Sequence, residues 1–338
     1  MEEVVTDVVC DASYNGIGEI LKYILQSFFL FFSLYLHIRF ISAIRTMYRK
    51  DHRLNSFYSL YLIECILNTC SMLSLILLIK PITFITYLCP VLIGIFPNPS
   101  SLLNFLWISD YLQIAKFLTH AFLSINRMSC VIWPLKFSSW WQKWIIPCVF
   151  FITLTPLLIL SSVLISKTTL VSYLGGLGIS YVHIAPWIRI SIFKAVIFAI
   201  ILITVLICST VTIFCLLKMK RKVKGVDKNL CFTTVISALE VVGFLSVQLF
   251  FVVSPFRDST DVAYDNWMQL QTFLYDMVLF IDPLVILRMN KKLRNHIFNR
   301  RKLNEPSSPD YQNATNRVFM INMKDPATMA NEKIFQKR

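Results

Sequence analysis

The sequence has few charged residues and lacks the motifs of most enzymes and cofactor-binding proteins. Only 15% of its 338 residues are charged, against about a quarter in a typical soluble domain. There is no C-x-x-C pair, no Cys/His spacing typical of a metal site, no glycine-rich phosphate loop and no G-x-S-x-G nucleophile motif. No internal repeat of the kind seen in many transporters is present either. We therefore expect neither an enzyme nor a bound cofactor.

What the sequence has in abundance is apolar residues, which make up 56% of the chain and gather in long runs between short charged loops. A spanning helix needs roughly 20 apolar residues. Backbone groups in lipid must be satisfied within the segment, which predicts helices, and the runs lack the alternation of a membrane barrel. Seven runs qualify: 20–44, 57–79, 102–125, 144–165, 190–217, 230–253 and 267–287. The predicted fold is an all-α membrane protein with a seven-helix bundle.

The distribution of basic residues predicts the orientation of this bundle. Twenty Lys and Arg residues lie in the four alternate segments 45–53, 127–143, 218–228 and 288–302, whereas the intervening loops hold four. Basic loops stay in the cytoplasm, so the N-terminus is predicted outside and the C-terminus inside. The net charge of +14 is thus a topology signal, and nucleic acid is not an expected partner.

One further apolar segment, 82–96, could change the number of spans. It is short for a span and contains Pro90, and inserting it would place the basic 218–228 segment outside. We therefore interpret it as a hydrophobic outer loop. Of nine cysteines, Cys10 and Cys89 alone are predicted on the oxidising side, where they could either form a disulfide or remain two free thiols.

The third span carries a polar face. Seven of its residues fall within an arc of about 120° at about 100° per residue, over roughly 25 Å of helix: Ser109, Asp110, Gln113, Lys116, His120, Ser124 and Arg127. Such a face cannot meet lipid. Asp110, Gln113 and Lys116, with Tyr275 of the seventh span, are the predicted ligand-binding residues, although the same side chains could instead fix the packing of helices. His120 is expected to be a packed histidine.

Several carboxylates occupy other spans. Glu64 shares a helix face with Asn68 and Ser71, Glu240 lies in the sixth span, and Asp276 and Asp282 lie in the seventh. A buried carboxylate pairs with a cation, binds a cation or stays protonated. Lys116 could pair with Glu64, Asp276 or Glu240, and the sequence does not choose among them.

Three motifs carry a family resemblance. The third span ends in Asn126-Arg127-Met128 and is followed by V-I-W-P-L, the seventh span contains Asp282-Pro283-Leu284, and K-N-L-C begins the sixth. The first of these resembles the end of helix three in rhodopsin-like G-protein-coupled receptors, but its N-R-M form is more similar to the nematode serpentine chemoreceptors of class gamma. The resemblance covers about residues 17–302.

This resemblance implies roles for residues at the cytoplasmic end. Arg127 would engage a G protein, with Asn126 and Met128 flanking it, although Arg127 could also be an ordinary arginine reaching the interface. Pro283 removes a backbone hydrogen bond and predicts a bend, beside which Asp282 would form part of a switch. Two rhodopsin-like features are missing, because the outer loop 167–189 has no cysteine and the sixth span has no proline.

The segments outside the spans complete the predicted organisation. Residues 1–19 form the extracellular N-terminus, 20–288 the membrane domain, 289–303 a cytoplasmic amphipathic helix and 304–338 a disordered tail. In the second outer loop, two partly alternating segments around a glycine cluster predict a β-hairpin. It could cap a cavity for an apolar or amphiphilic molecule, or be a loop with no ligand role.

The resemblance implies a chemosensory G-protein-coupled receptor of the plasma membrane. Its partners would be an external small molecule, a heterotrimeric G protein and membrane lipids. The alternative is a multi-pass transporter or ion-conducting protein that uses the buried carboxylates and Lys116.

Overall fold

The structure is a computed structural model of the chain, and it describes residues 16–50, 56–95, 99–133, 136–164, 167–173, 176–182, 190–218, 226–253, 262–289 and 291–298. The chain divides into two compact units, Met1–Leu293 and Arg294–Arg338. The first unit contains all the elements described below except the end of the last helix.

Ten α-helices and one hairpin make up the described part of the chain. The helices are α1 (Gly16–Lys50), α2 (Ser56–Ser74), α3 (Lys80–Phe84), α4 (Cys89–Ile95), α5 (Pro99–Ile132), α6 (Phe137–Leu164), α7 (Ile190–Lys218), α8 (Val226–Val253), α9 (Val262–Met289) and α10 (Lys291–Phe298). The strands are β1 (Lys167–Tyr173) and β2 (Gly176–Val182).

Each of the seven predicted spans lies on a long helix, although Ile165, the predicted end of the fourth, lies outside the described residues. Six helices are long and apolar enough to cross a membrane: α1, α2 with its continuation, α6, α7, α8 and α9. The 34-residue α5 is the seventh long helix, and its polar face makes it less apolar than the others. It contacts α2, α6 and α7, so neighbouring helices rather than lipid surround this face.

The long helices pack into a closed bundle. Contacts run from α1 to α2, from α2 to α5, from α5 to α7, and on through α8 and α9 back to α1. Large apolar side chains such as Phe28, Ile146 and Ile200 are more than half exposed on the outside of the bundle. Apolar side chains on the outside and polar ones inside are the arrangement expected of a helix bundle in a bilayer.

The segment after α2 does not form an eighth span. A π-helical turn, Leu75–Ile79, continues α2 into α3, and a short 3₁₀ turn, Thr86–Leu88, leads to α4. Helices α3 and α4 have five and seven residues, far fewer than a span requires. Cys89 at the start of α4 takes part in a disulfide. Cys10, its predicted partner, lies outside the described residues.

The predicted hairpin is confirmed in the second outer loop. Its strands β1 and β2 pair antiparallel, with Lys167 opposite Val182 and Tyr173 opposite Gly176. Both strands contact α5, and β2 also contacts α3. The hairpin therefore marks one end of the bundle, which we name the outer end in agreement with the predicted orientation.

The predicted helix after the last span is present as α10, Lys291–Phe298. It is shorter than the predicted 289–303 segment, and residues 299–303 lie outside the described part. The predicted N-terminal segment up to residue 15 and the tail from residue 304 also lie outside it.

Candidate functional site

The centre of the bundle holds an ion pair between α5 and α9. Lys116 Nζ donates to Asp282 Oδ2 over 2.5 Å, and the Lys116 side chain is completely buried. The sequence had left Glu64, Asp276 and Glu240 as possible partners of this lysine, and that expectation was wrong. The chosen partner is the carboxylate next to Pro283, a residue that the sequence had linked to a switch and not to Lys116.

His120, one helical turn from Lys116 on α5, extends this pair toward α2. Its Nε2 lies 2.7 Å from Glu64 Oε1 and 3.6 Å from Asp282 Oδ2. The 2.7 Å separation corresponds to an ion pair when the imidazole is protonated, and Nε2 has no hydrogen-bond partner among the described residues. Lys116, His120, Glu64 and Asp282 are named here the inner cluster. As expected, His120 is buried.

Helix α8 borders the inner cluster, since Ile236 and Ser237 line one crevice with Glu64, His120 and Asp282. The same helix carries Glu240, whose side chain is buried. Within the described part of the chain neither of its carboxylate oxygens has a hydrogen-bond partner. Helices α2, α5 and α9 therefore supply the inner cluster, and α8 carries a further buried carboxylate.

A layer of aromatic rings lies beside the inner cluster. Phe117 of α5 packs edge-on against Phe198 of α7 at 5.0 Å and against Phe244 of α8 at 4.9 Å. Phe244 in turn meets the ring of Tyr275 of α9 at 5.9 Å. These four buried rings join α5, α7, α8 and α9 in the main apolar core, and we name them the aromatic layer.

Two further ion pairs, one partly and one fully buried, lie toward the outer end. Lys194 Nζ of α7 donates to Asp110 Oδ1 over 2.6 Å. Lys80 Nζ, completely buried, donates to Asp276 Oδ2 and to Gln26 Oε1, each over 2.5 Å. The first pair links α5 to α7, and the second links α1, α3 and α9.

The four predicted ligand residues therefore occupy two levels. Asp110, Gln113 and Tyr275 lie on the outer side, where Tyr275 OH is 2.9 Å from Ser71 Oγ and the buried Gln113 Oε1 has no hydrogen-bond partner among the described residues. Lys116 points instead into the inner cluster. The structure thus separates Lys116 from the other three predicted residues.

The predicted coupling residues lie at the cytoplasmic end of α5. Asn126 is buried and donates to Ser56 Oγ over 2.8 Å. Arg127 lies over the Phe57 ring at 5.6 Å and lines a crevice that reaches Glu64, His120 and Asp282. Met128 is partly exposed. The crevice connects the predicted coupling residue directly with the inner cluster.

Pro283 lies inside α9, which continues through it to Met289. The side chain of its neighbour Asp282 accepts a hydrogen bond from Lys116. From the sequence, the Asp282 side chain was instead expected to bond the backbone groups freed by Pro283 or to hold a water. Pro134 and Leu135, which belong to the first family motif, lie outside the described residues.

Sequence reasoning missed the two outer lysines. It assigned Lys80 to an outer loop, because the second span was expected to end at residue 79. The π-helical turn before Lys80 carries the helix onward and alters the direction of the residues that follow. Lys194 was not singled out, although it is a cation within the apolar α7 and intramembrane cations usually have partners.

Known proteins are similar to this chain over most of its length. The family model described as "Srg family chemoreceptor" matches residues 23–297 of this chain. The chain belongs to the Srg chemoreceptor family. Serpentine receptor class gamma-13 of Caenorhabditis elegans is 31% identical over 314 residues, covering 92% of this chain and 93% of that protein. Class gamma-5 of the same organism is 29% identical over 289 residues, covering 85% and 88%.

Membership of the Srg family confirms the resemblance drawn from the three motifs and identifies the bundle as a seven-helix serpentine receptor fold. It makes this chain a multi-pass membrane protein of a receptor family, and not an enzyme. It also favours a receptor over the transporter alternative that the buried carboxylates had left open.

The buried ion pair between Lys80 and Asp276 leads to a prediction about the stability of this Srg protein. Asp276→Asn leaves the Lys80 ammonium buried without its counter-charge, and breaking one side of a buried ion pair costs about 3–5 kcal/mol. The double variant Lys80→Met/Asp276→Leu should be less destabilised than Asp276→Asn, because both charges are removed. Thermal unfolding of the purified proteins in one detergent measures both effects, and a double variant at least as unstable as the single one would contradict the prediction.

Proposed function

We propose that this Srg chemoreceptor is a G-protein-coupled receptor of the plasma membrane that binds an external small molecule and activates a heterotrimeric G protein. The observation that carries the proposal is the polar face of α5, which is paired differently at its two ends. Asp110 joins α7 on the outer side of the aromatic layer, and Lys116 and His120 join α9 and α2 at the inner cluster. A shift of α5 at one end therefore changes contacts at the other.

The outer end is suited to a small apolar or amphiphilic ligand. Polar atoms there lack hydrogen-bond partners among the described residues, notably Gln113 Oε1 and Trp107 Nε1. A ligand with a polar group and an apolar body would satisfy such atoms while lying against the surrounding rings. The hairpin contacts α5 at this end and would cover the bound molecule. We place the ligand beside Asp110, Gln113 and Tyr275.

The cytoplasmic end supplies the elements needed for coupling. Arg127 lines the crevice beneath the inner cluster together with Asp282, and Pro283 weakens the backbone of α9 at the same level. A ligand-driven change in the Lys116–Asp282 contact would alter this crevice, which would then receive the G protein through Arg127, Asn126 and Met128. Proteins that switch commonly use such bistable contacts between packed helices.

The ligand side of the proposal predicts an effect of Asp110→Asn. The substitution removes the charge that holds Lys194, and a hydrogen bond to a charged group is worth about 1.5–3 kcal/mol. The potency of an agonist found by screening small amphiphilic compounds should fall at least about tenfold in a cellular signalling assay.

The matched control for this experiment is Lys22→Ala, which removes the ion pair between Lys22 and Glu19 on the first turns of α1. Lys22 is half-exposed and Glu19 is buried, and neither belongs to the proposed ligand site, so potency should be unchanged. If Asp110→Asn leaves the dose–response curve unchanged, Asp110 does not belong to the ligand site.

The coupling side of the proposal predicts that Arg127→Ala abolishes agonist-dependent G-protein activation while surface expression stays near the wild-type level. The reason is that the guanidinium lines the crevice proposed to receive the G protein and contributes no ion pair to the inner cluster within the described residues. Nucleotide exchange on a co-expressed G protein and antibody staining of intact cells measure the two quantities.

Arg39→Ala is the control for this second experiment. It removes a similar arginine–aromatic contact, in which Arg39 lies over the Tyr35 ring at 5.9 Å on α1. Signalling should survive in this variant. Full signalling in Arg127→Ala would refute the role given to Arg127.

A further inference from the structure

The inner cluster brings together three side chains that commonly bind metal ions. Glu64 of α2, His120 of α5 and Asp282 of α9 each offer one ligand atom, and these atoms lie within 4.8 Å of one another. His120 Nε2 is 2.7 Å from Glu64 Oε1 and 3.6 Å from Asp282 Oδ2. Ligand atoms around a tetrahedral zinc ion are separated by about 3.3 Å, since each lies about 2.0–2.2 Å from the metal. Small side-chain movements would bring the three atoms to that spacing.

The side chain of Glu240 provides a second and independent observation in favour of a cation site. It belongs to α8, whose Ile236 and Ser237 line the crevice beside the proposed ligands. It is 9% exposed, and in the described part of the structure both of its carboxylate oxygens are without hydrogen-bond partners. A buried carboxylate without a partner is costly, and a cation in the inner cluster would offset that cost.

An ion could reach these ligands from the cytoplasmic side. Glu64, His120 and Asp282 all line the same crevice, together with Ser124, Arg127 and Ser237. A crevice therefore borders the three proposed ligands. A cation in this crevice would be within reach of two carboxylates, those of Glu64 and Asp282.

The chemistry of the ligands selects the ion. Mg²⁺ and Ca²⁺ prefer oxygen ligands alone, whereas one imidazole with two carboxylates suits Zn²⁺. Oδ2 of Asp282 accepts from Lys116 and is also the oxygen that lies 3.6 Å from His120 Nε2. A carboxylate oxygen has two lone pairs, so Oδ2 can bind a metal while the lysine stays in place. We propose that Glu64, His120 and Asp282 form a Zn²⁺ site, with the buried Glu240 of α8 as a third carboxylate nearby.

A metal ion at this position would fasten α2, α5 and α9 to one another. These helices come from distant parts of the sequence, and the ion would tie them at the level of the crevice. Ligands that bind only the folded state stabilise it, so Zn²⁺ should raise the unfolding temperature of the receptor. This inference concerns metal binding alone, which can be measured without an agonist or a G protein.

The test uses purified full-length receptor in lipid nanodiscs, with equilibrium dialysis against ZnCl₂ and thermal unfolding as readouts. The wild type should bind one Zn²⁺ with an increase in unfolding temperature that EDTA reverses, and MgCl₂ at the same concentration should have no such effect. His120→Gln and Glu64→Gln should each weaken binding at least about tenfold, because even outer-shell partners of metal sites can have that effect. Undiminished binding in both variants would overturn the proposal.

His37→Gln is the matched histidine control. His37 is buried on α1, where Nδ1 donates to the Ser33 carbonyl and Nε2 accepts from Asn68, so both of its ring nitrogens are already used. The exposed thiols Cys70 and Cys130 are possible adventitious ligands and are tested by serine replacement. Zn²⁺ affinity unchanged in these control variants supports the assignment, and its loss in the cysteine variants would refute it.

X-ray absorption of the Zn²⁺-loaded wild type keeps the proposal falsifiable if the inner-cluster variants fail to fold. The expected first shell contains nitrogen and oxygen at about 2.0–2.2 Å, with the signal of one imidazole. A shell containing sulfur at about 2.3 Å, or one without imidazole, would place the metal elsewhere and overturn the assignment.

Discussion

A charge inside an apolar bundle must meet an opposite charge, and this requirement governs the structure. Transfer of an ionised side chain to the middle of a bilayer costs several kcal/mol by most measures, and Lys116 is completely buried there. Its ammonium is held by Asp282 of α9. The pair fixes the rotation of α5 about its axis, because turning the helix would carry the Lys116 ammonium away from the Asp282 carboxylate.

Much of the remaining arrangement follows from that rotation. With Lys116 turned toward α9, His120 one turn further along meets Glu64 of α2, and Asp110 at the outer end meets Lys194 of α7. Phe117, next to Lys116 in the chain, is directed toward Phe198 and Phe244. The polar face and the aromatic layer are thus two consequences of one orientation of α5, which is why a change at the outer end can reach the inner cluster.

The sequence predicts the framework well because its signals are local. Span length and the glycine-centred hairpin each depend on a few consecutive residues, and both predictions agree with the helices and strands observed. The charge of the loops is local too, and the orientation that it implies stays a prediction. The third span was recognised from length and apolar content, and its polar face was recognised from helical periodicity. The family motifs are also short stretches of consecutive residues.

The site was predicted only in part, because its contacts join distant residues. Lys116 and Asp282 are 166 positions apart, and Lys80 and Asp276 are 196 apart. Periodicity can place a residue on a helix face but cannot choose which helix that face meets. The position of Lys80 depends in addition on a π-helical turn. The five consecutive Leu and Ile residues that form this turn do not predict it. The metal ligands proposed for the inner cluster show no motif for the same reason, since each comes from a different helix.

The most direct test of whether this ion pair orients α5 is to measure the coupling free energy between Lys116 and Asp282. A double-mutant cycle with Lys116→Met, Asp282→Asn and the combined variant, followed by reversible unfolding in detergent, isolates the interaction between the two side chains. We expect a coupling free energy of at least about 1 kcal/mol, as found for residues within one buried network. Additive effects, within about 0.3–0.5 kcal/mol, would show that the pair does not hold α5 against α9.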